Sequence, residues 1–186
     1  MLALTQLLTR AALINGEATA TVFGERRQSW NQLQERVARL AGGLQGLGLA
    51  ADDRVAILAL NSDRYLECSF GIPWAGGIAQ PINTRLAPPE IVHWLGDSGA
   101  RFLLIDRNFV EVLNGIRSEL PDLETAIFLD DGELPAGLQA YESLLAGADP
   151  VPDAGRRGED LAQLMYTGGT TGRSKGVELS HRAIVS

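Results

Sequence analysis

The stretch Tyr166-Thr-Gly-Gly-Thr-Thr-Gly-Arg-Ser-Lys-Gly-Val177 places glycines, threonines and a lysine in one short segment. Glycines allow the backbone to approach a ligand closely, and neighbouring N–H groups can then converge on an anion. The threonine hydroxyls add hydrogen-bond donors, and Lys175 adds a positive charge. The apolar segment 161–166 predicts a short strand before the loop, and residues 177–179 predict another extended segment after it. The stretch therefore predicts a loop that binds a nucleotide triphosphate at the end of a strand, where α/β sheets commonly bind ligands.

Two widespread phosphate-binding patterns do not describe this loop. A Walker loop needs glycine, lysine and Ser/Thr in succession, whereas Lys175 lies between Ser174 and Gly176. No Gly-x-Gly-x-x-Gly pattern follows an early strand, so the dinucleotide fingerprint is absent as well. The alternative is a surface turn without function, because turns also favour glycine. The lysine and the threonines favour phosphate binding over that alternative.

The loop resembles the signature of the adenylate-forming superfamily, which includes acyl- and aryl-CoA synthetases, luciferases and peptide-synthetase adenylation domains. That signature reads Tyr/Phe-Thr-Ser-Gly-Ser/Thr-Thr-Gly-x-Pro-Lys-Gly-Val. This chain differs at Gly168, where serine is commoner, and at Ser174, where proline is usual. A glycine at the first of these positions also occurs among fatty acyl-CoA synthetases. The positions that match are Tyr166, Thr167, Gly169, Thr170, Thr171, Gly172, Lys175, Gly176 and Val177.

Three upstream segments resemble the same superfamily. Residues 53–61 are similar to its first core strand and the turn that follows. Residues 76–86 are similar to its Gly-x-x-x-x-Pro-x-Asn-x-Arg-Leu segment, and residues 90–106 fit as well. The resemblance covers nearly the whole chain from about Ala18 onward. It is specific to the superfamily, and it favours fatty acids only slightly over aromatic acids or amino acids as substrates.

The resemblance implies a two-step reaction whose substrates are a small carboxylic acid, ATP and coenzyme A. The carboxylate attacks the α-phosphate of ATP, and a thiol then captures the acyl-adenylate. Glycine N–H groups, threonine hydroxyls and the lysine ammonium would hold the β- and γ-phosphates, and Thr167 would also lie near Mg²⁺. The ATP-binding residues that the resemblance implies are Thr167, Gly168, Gly169, Thr170, Thr171, Gly172 and Lys175.

Several motifs of the superfamily are absent from these 186 residues. They are the Tyr-Gly-x-Thr-Glu segment for adenine and magnesium, the Thr-Gly-Asp ribose motif and the C-terminal adenylation lysine. We therefore expect the chain to be the N-terminal part of a larger AMP-forming acyl-CoA synthetase, and to be inactive by itself. Two alternatives are a complete, non-catalytic nucleotide-binding module and an interaction domain with a vestigial loop. Whether the thiol acceptor is coenzyme A or a carrier protein stays open.

Composition and charge exclude some classes of protein. The chain is 45% hydrophobic and has a formal net charge of −7, which argues against a nucleic-acid or anionic-membrane surface. A single cysteine, Cys68, excludes an internal disulfide and fits a reducing compartment. No run approaches the roughly 18 apolar residues of a membrane span, so we expect a cytoplasmic protein. Open strand edges in a partial sheet would favour a homo-oligomer.

Strand and helix patterns alternate along the chain and predict an α/β fold with a mostly parallel sheet and flanking helices. This is the fold expected of the N-terminal part of the large domain of an adenylate-forming enzyme. Ser29 and Gln32 form a capping-box pattern that begins one of the helices. We expect an α/β subdomain at residues 1–146, an exposed linker at 147–159, and the strand and phosphate loop at 160–186.

Other conspicuous residues have structural interpretations. His181 is interpreted as a surface residue at a helix start rather than as a phosphate contact. The arginine pairs at 26–27 and 156–157 are interpreted as solvated surface, and Asn83 and Arg85 as residues that stabilise a turn. An N-terminal helix is also predicted, with an apolar face formed by Leu4, Leu7, Leu8 and Ala11.

Overall fold

The computed structural model describes residues 2–167 and 174–186. The helices in these ranges are α1 (Leu4–Asn15), α2 (Trp30–Gly46), α3 (Asp63–Trp74), α4 (Pro88–Ser98), α5 (Val110–Ile116), α6 (Tyr141–Ala146) and α7 (His181–Val185). The strands are β1 (Thr19–Phe23), β2 (Arg26–Ser29), β3 (Arg54–Leu58), β4 (Ile78–Pro81), β5 (Phe102–Ile105), β6 (Thr125–Phe128), β7 (Gln139–Ala140), β8 (Leu161–Thr167) and β9 (Lys175–Ser180). None of the helices described there is long and apolar enough to span a lipid bilayer.

The main sheet has seven strands in the order β7-β6-β5-β3-β4-β8-β9 within the described part of the chain. Every neighbouring pair is parallel except β8 and β9, which run antiparallel. Strands β1 and β2 form a separate hairpin, and Gly24 in its turn has a φ of 60° that suits glycine. The predicted α/β fold with a mostly parallel sheet and flanking helices is therefore confirmed.

Helices cover both faces of the main sheet, so its central strands are buried on two sides. Along β3, Val55 and Ile57 face a core shared with α2 and α3. Ala56 and Leu58 face a second core, which is shared with α4 and α5. None of these four side chains is more than 1% exposed. Burial on both faces explains why the strand is a continuous apolar run rather than an alternating one.

Helix α2 begins where the sequence predicts. The Ser29 hydroxyl accepts a hydrogen bond from the Gln32 N–H at 3.3 Å, and Gln32 Oε1 accepts one from the Ser29 N–H at 2.8 Å. This reciprocal pair satisfies two backbone N–H groups that a helix start leaves without intrahelical partners. The predicted capping box is confirmed.

Helix α1 forms as predicted, but the face that it buries is not the apolar face formed by Leu4, Leu7, Leu8 and Ala11. The buried residues are Thr5, Leu8 and Ala12, whereas Leu7 is 50% exposed. The helix packs against α2, α3 and α7, and these neighbours cover a face rotated by about one residue from the most apolar stripe. Tertiary contacts therefore decide which side of this helix is buried.

The segment 147–159 is anchored to two helices rather than extended into solvent. The Val151 N–H donates to the Ala38 carbonyl of α2 at 3.2 Å. The Trp74 indole of α3 donates to the Val151 carbonyl at 2.9 Å, and the Ala154 N–H donates to the Trp74 carbonyl at 2.9 Å. The segment leads into β8, which lies beside β4 in the main sheet. The predicted division of the chain on either side of it stays a prediction.

Candidate functional site

The phosphate-loop sequence lies between β8 and β9, which form an antiparallel hairpin. In this hairpin Thr167, the last residue of β8, is directly opposite Lys175, the first residue of β9. Because β8 runs parallel to β4, its end lies at the carboxyl-terminal edge of the parallel strands. Of the predicted ATP-binding residues, Gly168, Gly169, Thr170, Thr171 and Gly172 lie outside the described residues.

The hairpin brings the two described candidates, Thr167 and Lys175, together at the base of the loop. Both residues are exposed. Directly opposed residues in an antiparallel pair lie on the same face of the sheet, with Cβ atoms about 4.5–5.5 Å apart. A hydroxyl and an ammonium group can therefore act on one ligand at this position. Their role in nucleotide binding stays a prediction.

Tyr166, immediately before Thr167, is held by two residues of α4. Its hydroxyl donates to Asp97 Oδ2 at 2.6 Å. Its ring stacks on Trp94, with 4.8 Å between ring centroids and 20° between ring planes. Burial and the bond to Asp97 raise the pKa of the Tyr166 phenol above its ordinary value, so the phenol stays protonated and donates. The signature motif identifies Tyr166 from the sequence, but it does not identify the partners of Tyr166. Their one signal in the sequence is the three-residue spacing of Trp94 and Asp97, which places both on one face of a helix.

Gly176 leaves the space that the Tyr166 ring occupies. The two residues are opposite each other in the hairpin. A Cβ atom at position 176 would lie 3.4 Å from Tyr166 Cζ and 3.0 Å from Leu164 Cδ1. The glycine after Lys175 therefore has a packing reason, separate from any contact with a phosphate.

Short polar bonds also order the neighbouring strand ends. Asp106, directly after β5, accepts a hydrogen bond from the Leu60 N–H at 2.7 Å and so ties the loop after β3 to β5. Asn83 Oδ1, in the turn after β4, accepts one from the Arg85 N–H at 3.0 Å. The predicted turn-stabilising role of Asn83 is confirmed. The edge of the sheet that carries the loop is therefore braced at several strands.

A second group of polar residues, the arginine–carboxylate cluster, borders a cleft of about 490 Å³ beside α2 and α3. Arg64, whose side chain is 5% exposed, donates to Asp131 at 2.6 Å and to Glu142 at 2.9 Å. Arg26, whose side chain is 40% exposed, donates to Asp63 at 2.7 and 2.8 Å, so it lies at the surface and is paired with a carboxylate. Because these guanidinium groups already face carboxylates, the cleft does not suit an anion. The cluster consists of Arg26, Arg36, Arg64, Asp63, Glu67, Asp131 and Glu142.

His181 begins α7 as predicted, but it is fully buried rather than on the surface. Its Nδ1 accepts a hydrogen bond from the Leu4 N–H at 3.1 Å. The Ser180 hydroxyl caps the helix by accepting from the Ala183 N–H at 3.2 Å. His181 therefore connects the hairpin that carries the loop to the N-terminal helix.

Cys68 is a buried core residue of α3. Burial raises the pKa of its thiol well above the ordinary value, so it is not poised as a nucleophile. In residues 2–167 and 174–186, no group of three or more His, Cys, Asp or Glu side chains could hold a metal ion.

A glycine- and threonine-rich sequence that follows a strand at the carboxyl edge of a mostly parallel α/β sheet is typical of the class of nucleotide-binding α/β proteins. Within that class, the chain belongs to the family of AMP-binding enzymes, whose model matches residues 8–186. The resemblance to the adenylate-forming superfamily is therefore confirmed.

Three similar proteins illustrate the relationship. The chain is 39% identical to a long-chain-fatty-acid–CoA ligase of Thermus thermophilus over 160 residues, which are 86% of the chain and 29% of that ligase. It is 37% identical over 158 residues to the fatty acid–[acyl-carrier-protein] ligase ScoC of Streptomyces coeruleorubidus, covering 85% of the chain and 29% of that ligase. The crystal structure of the anthranilate CoA ligase AuaEII in complex with anthranoyl-AMP matches with a TM-score of 0.92 and 29% identity. That match covers 97% of this chain and 35% of AuaEII, so the chain spans about a third of the length of these relatives.

Proposed function

We propose that this chain is the nucleotide-binding N-terminal part of an AMP-forming acyl-CoA synthetase. The observation that carries the proposal is the pairing of Thr167 with Lys175 across the β8–β9 hairpin, at the two ends of the signature loop. Membership of the AMP-binding enzymes supports an adenylating reaction, and the names of the similar CoA ligases support a thioester product. The proposed cofactors and substrates are ATP, Mg²⁺, coenzyme A and a small carboxylic acid.

The proposed chemistry has two displacement steps. A carboxylate oxygen attacks the α-phosphorus of ATP, and the bond from that phosphorus to the bridging oxygen breaks as pyrophosphate leaves. A thiolate then attacks the acyl carbon, and AMP leaves with the electron pair of the acyl–oxygen bond. Lys175 would contact the terminal phosphates and stabilise the negative charge that grows on the departing pyrophosphate. The loop glycines and threonines, Gly168 to Gly172, would supply the remaining donors.

Thr167 is the residue proposed for the magnesium side of the site. It is exposed at the end of β8, where its hydroxyl can reach a hard cation or a phosphate oxygen. Mg²⁺ prefers oxygen ligands and usually takes only one or two from protein when it binds a nucleotide, so a single hydroxyl fits this donor set. The ion would supply positive charge that neutralises the phosphates.

The proposal is less specific about which carboxylic acid is activated and which thiol accepts the acyl group. The similar proteins are named for a long-chain fatty acid and for anthranilate, which differ in length and aromatic character. The glycine at position 168 favours a fatty acid here. Coenzyme A is the proposed acceptor, and the likeness to ScoC makes a carrier protein the alternative that the acceptor assay should include.

The test uses the protein at the length that its native gene produces. Pyrophosphate release is measured with Mg-ATP and a panel of fatty, aromatic and amino acids, first without and then with coenzyme A. We expect release with at least one acid, and a loss of about a hundredfold in Lys175→Ala, because the lysine stabilises charge on the leaving group. Arg182→Ala is the matched control, since it removes an exposed cation on α7 that pairs with Glu159 instead.

Each outcome of this test has a defined meaning. Release that is unchanged in Lys175→Ala would contradict the proposed role of the loop. Tight binding of Mg-ATP without release for any acid would favour the non-catalytic nucleotide-binding module. We also expect the 186-residue chain by itself to release no pyrophosphate, and we propose that the protein is cytoplasmic.

Self-association is a further proposal. Met165 and Val177 are opposite each other in the β8–β9 hairpin, and they are 39% and 41% exposed. In the described part of the chain, β9 is the last strand of the sheet, so one of its edges is open. Sedimentation velocity of the isolated 186-residue chain at micromolar concentration tests this proposal, and a clean monomer would contradict it.

A further inference from the structure

We propose that Trp94 and Asp97 are positioning residues that hold the phosphate loop through Tyr166. These three residues, called the tyrosine clamp below, fix where the end of β8, and with it the start of the loop, lies relative to α4. The inference rests on the proposed function, because it assigns the clamp a role in ATP binding.

The clamp restrains Tyr166 in two independent ways. The stack on Trp94 fixes the plane of the Tyr166 ring. The bond to Asp97 fixes the position of the Tyr166 hydroxyl relative to α4. A hydroxyl that donates to a carboxylate at 2.6 Å makes a charge-assisted bond, which is stronger than a bond between neutral groups. Tyr166 is only 8% exposed, so little water competes for the ring.

The helix that supplies the clamp is itself fixed to the main sheet. Gln80, a fully buried residue of β4, donates from its side-chain amide to the Trp94 carbonyl at 3.1 Å. Strand β4 lies directly beside β8. The clamp therefore connects the strand that precedes the loop to a rigid neighbouring strand and helix.

A shift of Tyr166 would reach both ends of the loop. Tyr166 precedes Thr167 in β8, and it is opposite Gly176, which follows Lys175 in β9. The backbone pairing of Tyr166 with Gly176 couples the two strands, so a shift of one is passed to the other. If the clamp is released, the end of the hairpin that carries Thr167 and Lys175 loses its fixed position relative to α4. Binding of a polyphosphate then has to order them, which weakens affinity.

A role in stability alone would explain the same contacts, and Tyr141 distinguishes the two roles. Its hydroxyl donates to Glu67 Oε2 at 2.7 Å, and the residue is 1% exposed. It therefore makes the same kind of phenol–carboxylate bond as Tyr166. It lies in the core on the opposite face of the main sheet, away from the loop. Tyr141→Phe is thus a matched control for Tyr166→Phe.

The experiment compares four variants of the native-length protein: Tyr166→Phe, Asp97→Ala, Asp97→Asn and Tyr141→Phe. Titration with Mg-ATP gives the Kd, pyrophosphate assays give KM for ATP and for the acid, and thermal unfolding gives the Tm. Lys175 is the only lysine in the sequence of this chain, so amine acetylation mapped to its peptide reports on the loop directly. Protection of Lys175 by Mg-ATP is measured for each variant.

We expect Tyr166→Phe and Asp97→Ala to raise the Kd and the KM for ATP about threefold to tenfold, because a hydrogen bond to a charged group is lost. The KM for the acid should not change, and protection of Lys175 should need correspondingly more ATP. Asp97→Asn keeps an acceptor for the phenol and should stay within about twofold of wild type. Tyr141→Phe should lower the Tm but leave the Kd within about twofold.

Equal Kd values in Tyr166→Phe, Tyr141→Phe and wild type would overturn the positioning role while leaving the proposed function intact. Losses for ATP and acid alike, in proportion to the fall in Tm, would also overturn it. If wild type neither binds Mg-ATP nor protects Lys175, the proposed function fails and the clamp has no role in it. A selective loss for ATP that Asp97→Asn restores would establish the clamp.

Discussion

Glu67 carries a carboxylate that has no exposed surface. Arg36 donates to it at 2.7 and 3.0 Å, Gln28 at 2.6 Å and Tyr141 at 2.7 Å. Burying a charge is costly unless the charge is paired and hydrogen-bonded. Four donated bonds meet that condition, so Glu67 is the member of the arginine–carboxylate cluster whose removal leaves the most groups without a partner.

Glu67→Gln keeps the shape of the side chain but removes its charge and replaces one acceptor oxygen with a donor. We expect it to lower the free energy of unfolding by about 3 kcal/mol, because an amide NH2 in place of one carboxylate oxygen leaves buried donors around Glu67 without an acceptor. Urea unfolding monitored by circular dichroism measures this change.

Glu142→Gln is the control in the same cluster. Glu142 also accepts bonds from Arg36 and Arg64, but its side chain is 45% exposed. Water can therefore replace part of what is lost, and we expect a cost of about 1 kcal/mol or less. Equal losses in the two variants would show that burial does not set the strength of these pairs.

Single residues were predictable where a local pattern marks them. Asn83 was predictable because its side chain bonds to the N–H of Arg85, only two positions away. Lys175 was predictable because it is part of the signature motif. Arg36 and Glu67 were missed because they are 31 positions apart, and Arg36 and Glu142 are 106 apart. The packing of the chain decides such pairs, and a charged residue on a helix otherwise favours an exposed face.

Helix α2 has three glycines, which differ in what surrounds them. A Cβ atom on Gly42 would overlap the carbonyl oxygen of Asp149, in the segment 147–159 that docks on the helix. A Cβ atom on Gly46 would meet no described atom within 4 Å. Glycine-to-alanine changes at these two positions of α2 therefore compare two effects. The change at Gly42 displaces the docked segment, whereas the change at Gly46 reports only the higher helix propensity of alanine.

We expect Gly42→Ala to lower the free energy of unfolding by about 1–3 kcal/mol, because the backbone of the segment must move. Gly46→Ala should raise it by about 0.5–1 kcal/mol, because alanine restricts the unfolded chain and favours the helix. Urea unfolding of both variants measures the difference. If Gly42→Ala is as stable as Gly46→Ala, the segment is not held on α2 in solution.

Elements were predictable to the extent that their signals are local. The capping box of Ser29 and Gln32 gave the start of α2, and the glycine-rich loop between two apolar runs indicated β8 and β9. The docking of segment 147–159 was missed because its proline, glycine and aspartate residues are typical of exposed loops. Its anchors are bonds from its own backbone to the indole N–H and the carbonyl of Trp74, and the side-chain composition of the segment does not reveal them.

At the scale of the whole molecule, one histidine joins parts of the chain that are 177 positions apart. His181 Nδ1 accepts the N–H of Leu4, the first residue of α1, whose early N–H groups have no intrahelical partner. This bond requires an unprotonated Nδ1. A protonated ring would lose the bond and place a positive charge at the N-termini of α1 and α7, where the helix dipoles disfavour it.

Stability should therefore depend on the protonation of His181. Burial lowers the pKa of the imidazole below its ordinary 6.5, with Asp160 and Asp153 opposing the shift and Arg156 adding to it. The unfolded chain then takes up this proton at a higher pH than the folded one. The contribution of His181 is thus present above the ordinary pKa and is lost as the pH falls through 6.5 toward the folded pKa.

His181→Asn tests this assignment, because its amide oxygen can accept the Leu4 N–H near the Nδ1 position and does not titrate. Urea unfolding between about pH 8 and pH 5.5 should show a smaller loss of stability on acidification than in wild type, since aspartates and glutamates titrate mostly below this window. His181→Ala should lose stability even at about pH 8, because the Leu4 N–H is then buried without a partner. A wild-type slope in His181→Asn would assign the pH dependence to another group. A flattened slope would show that the bond between His181 and the N-terminal helix stabilises the fold only while this imidazole is neutral.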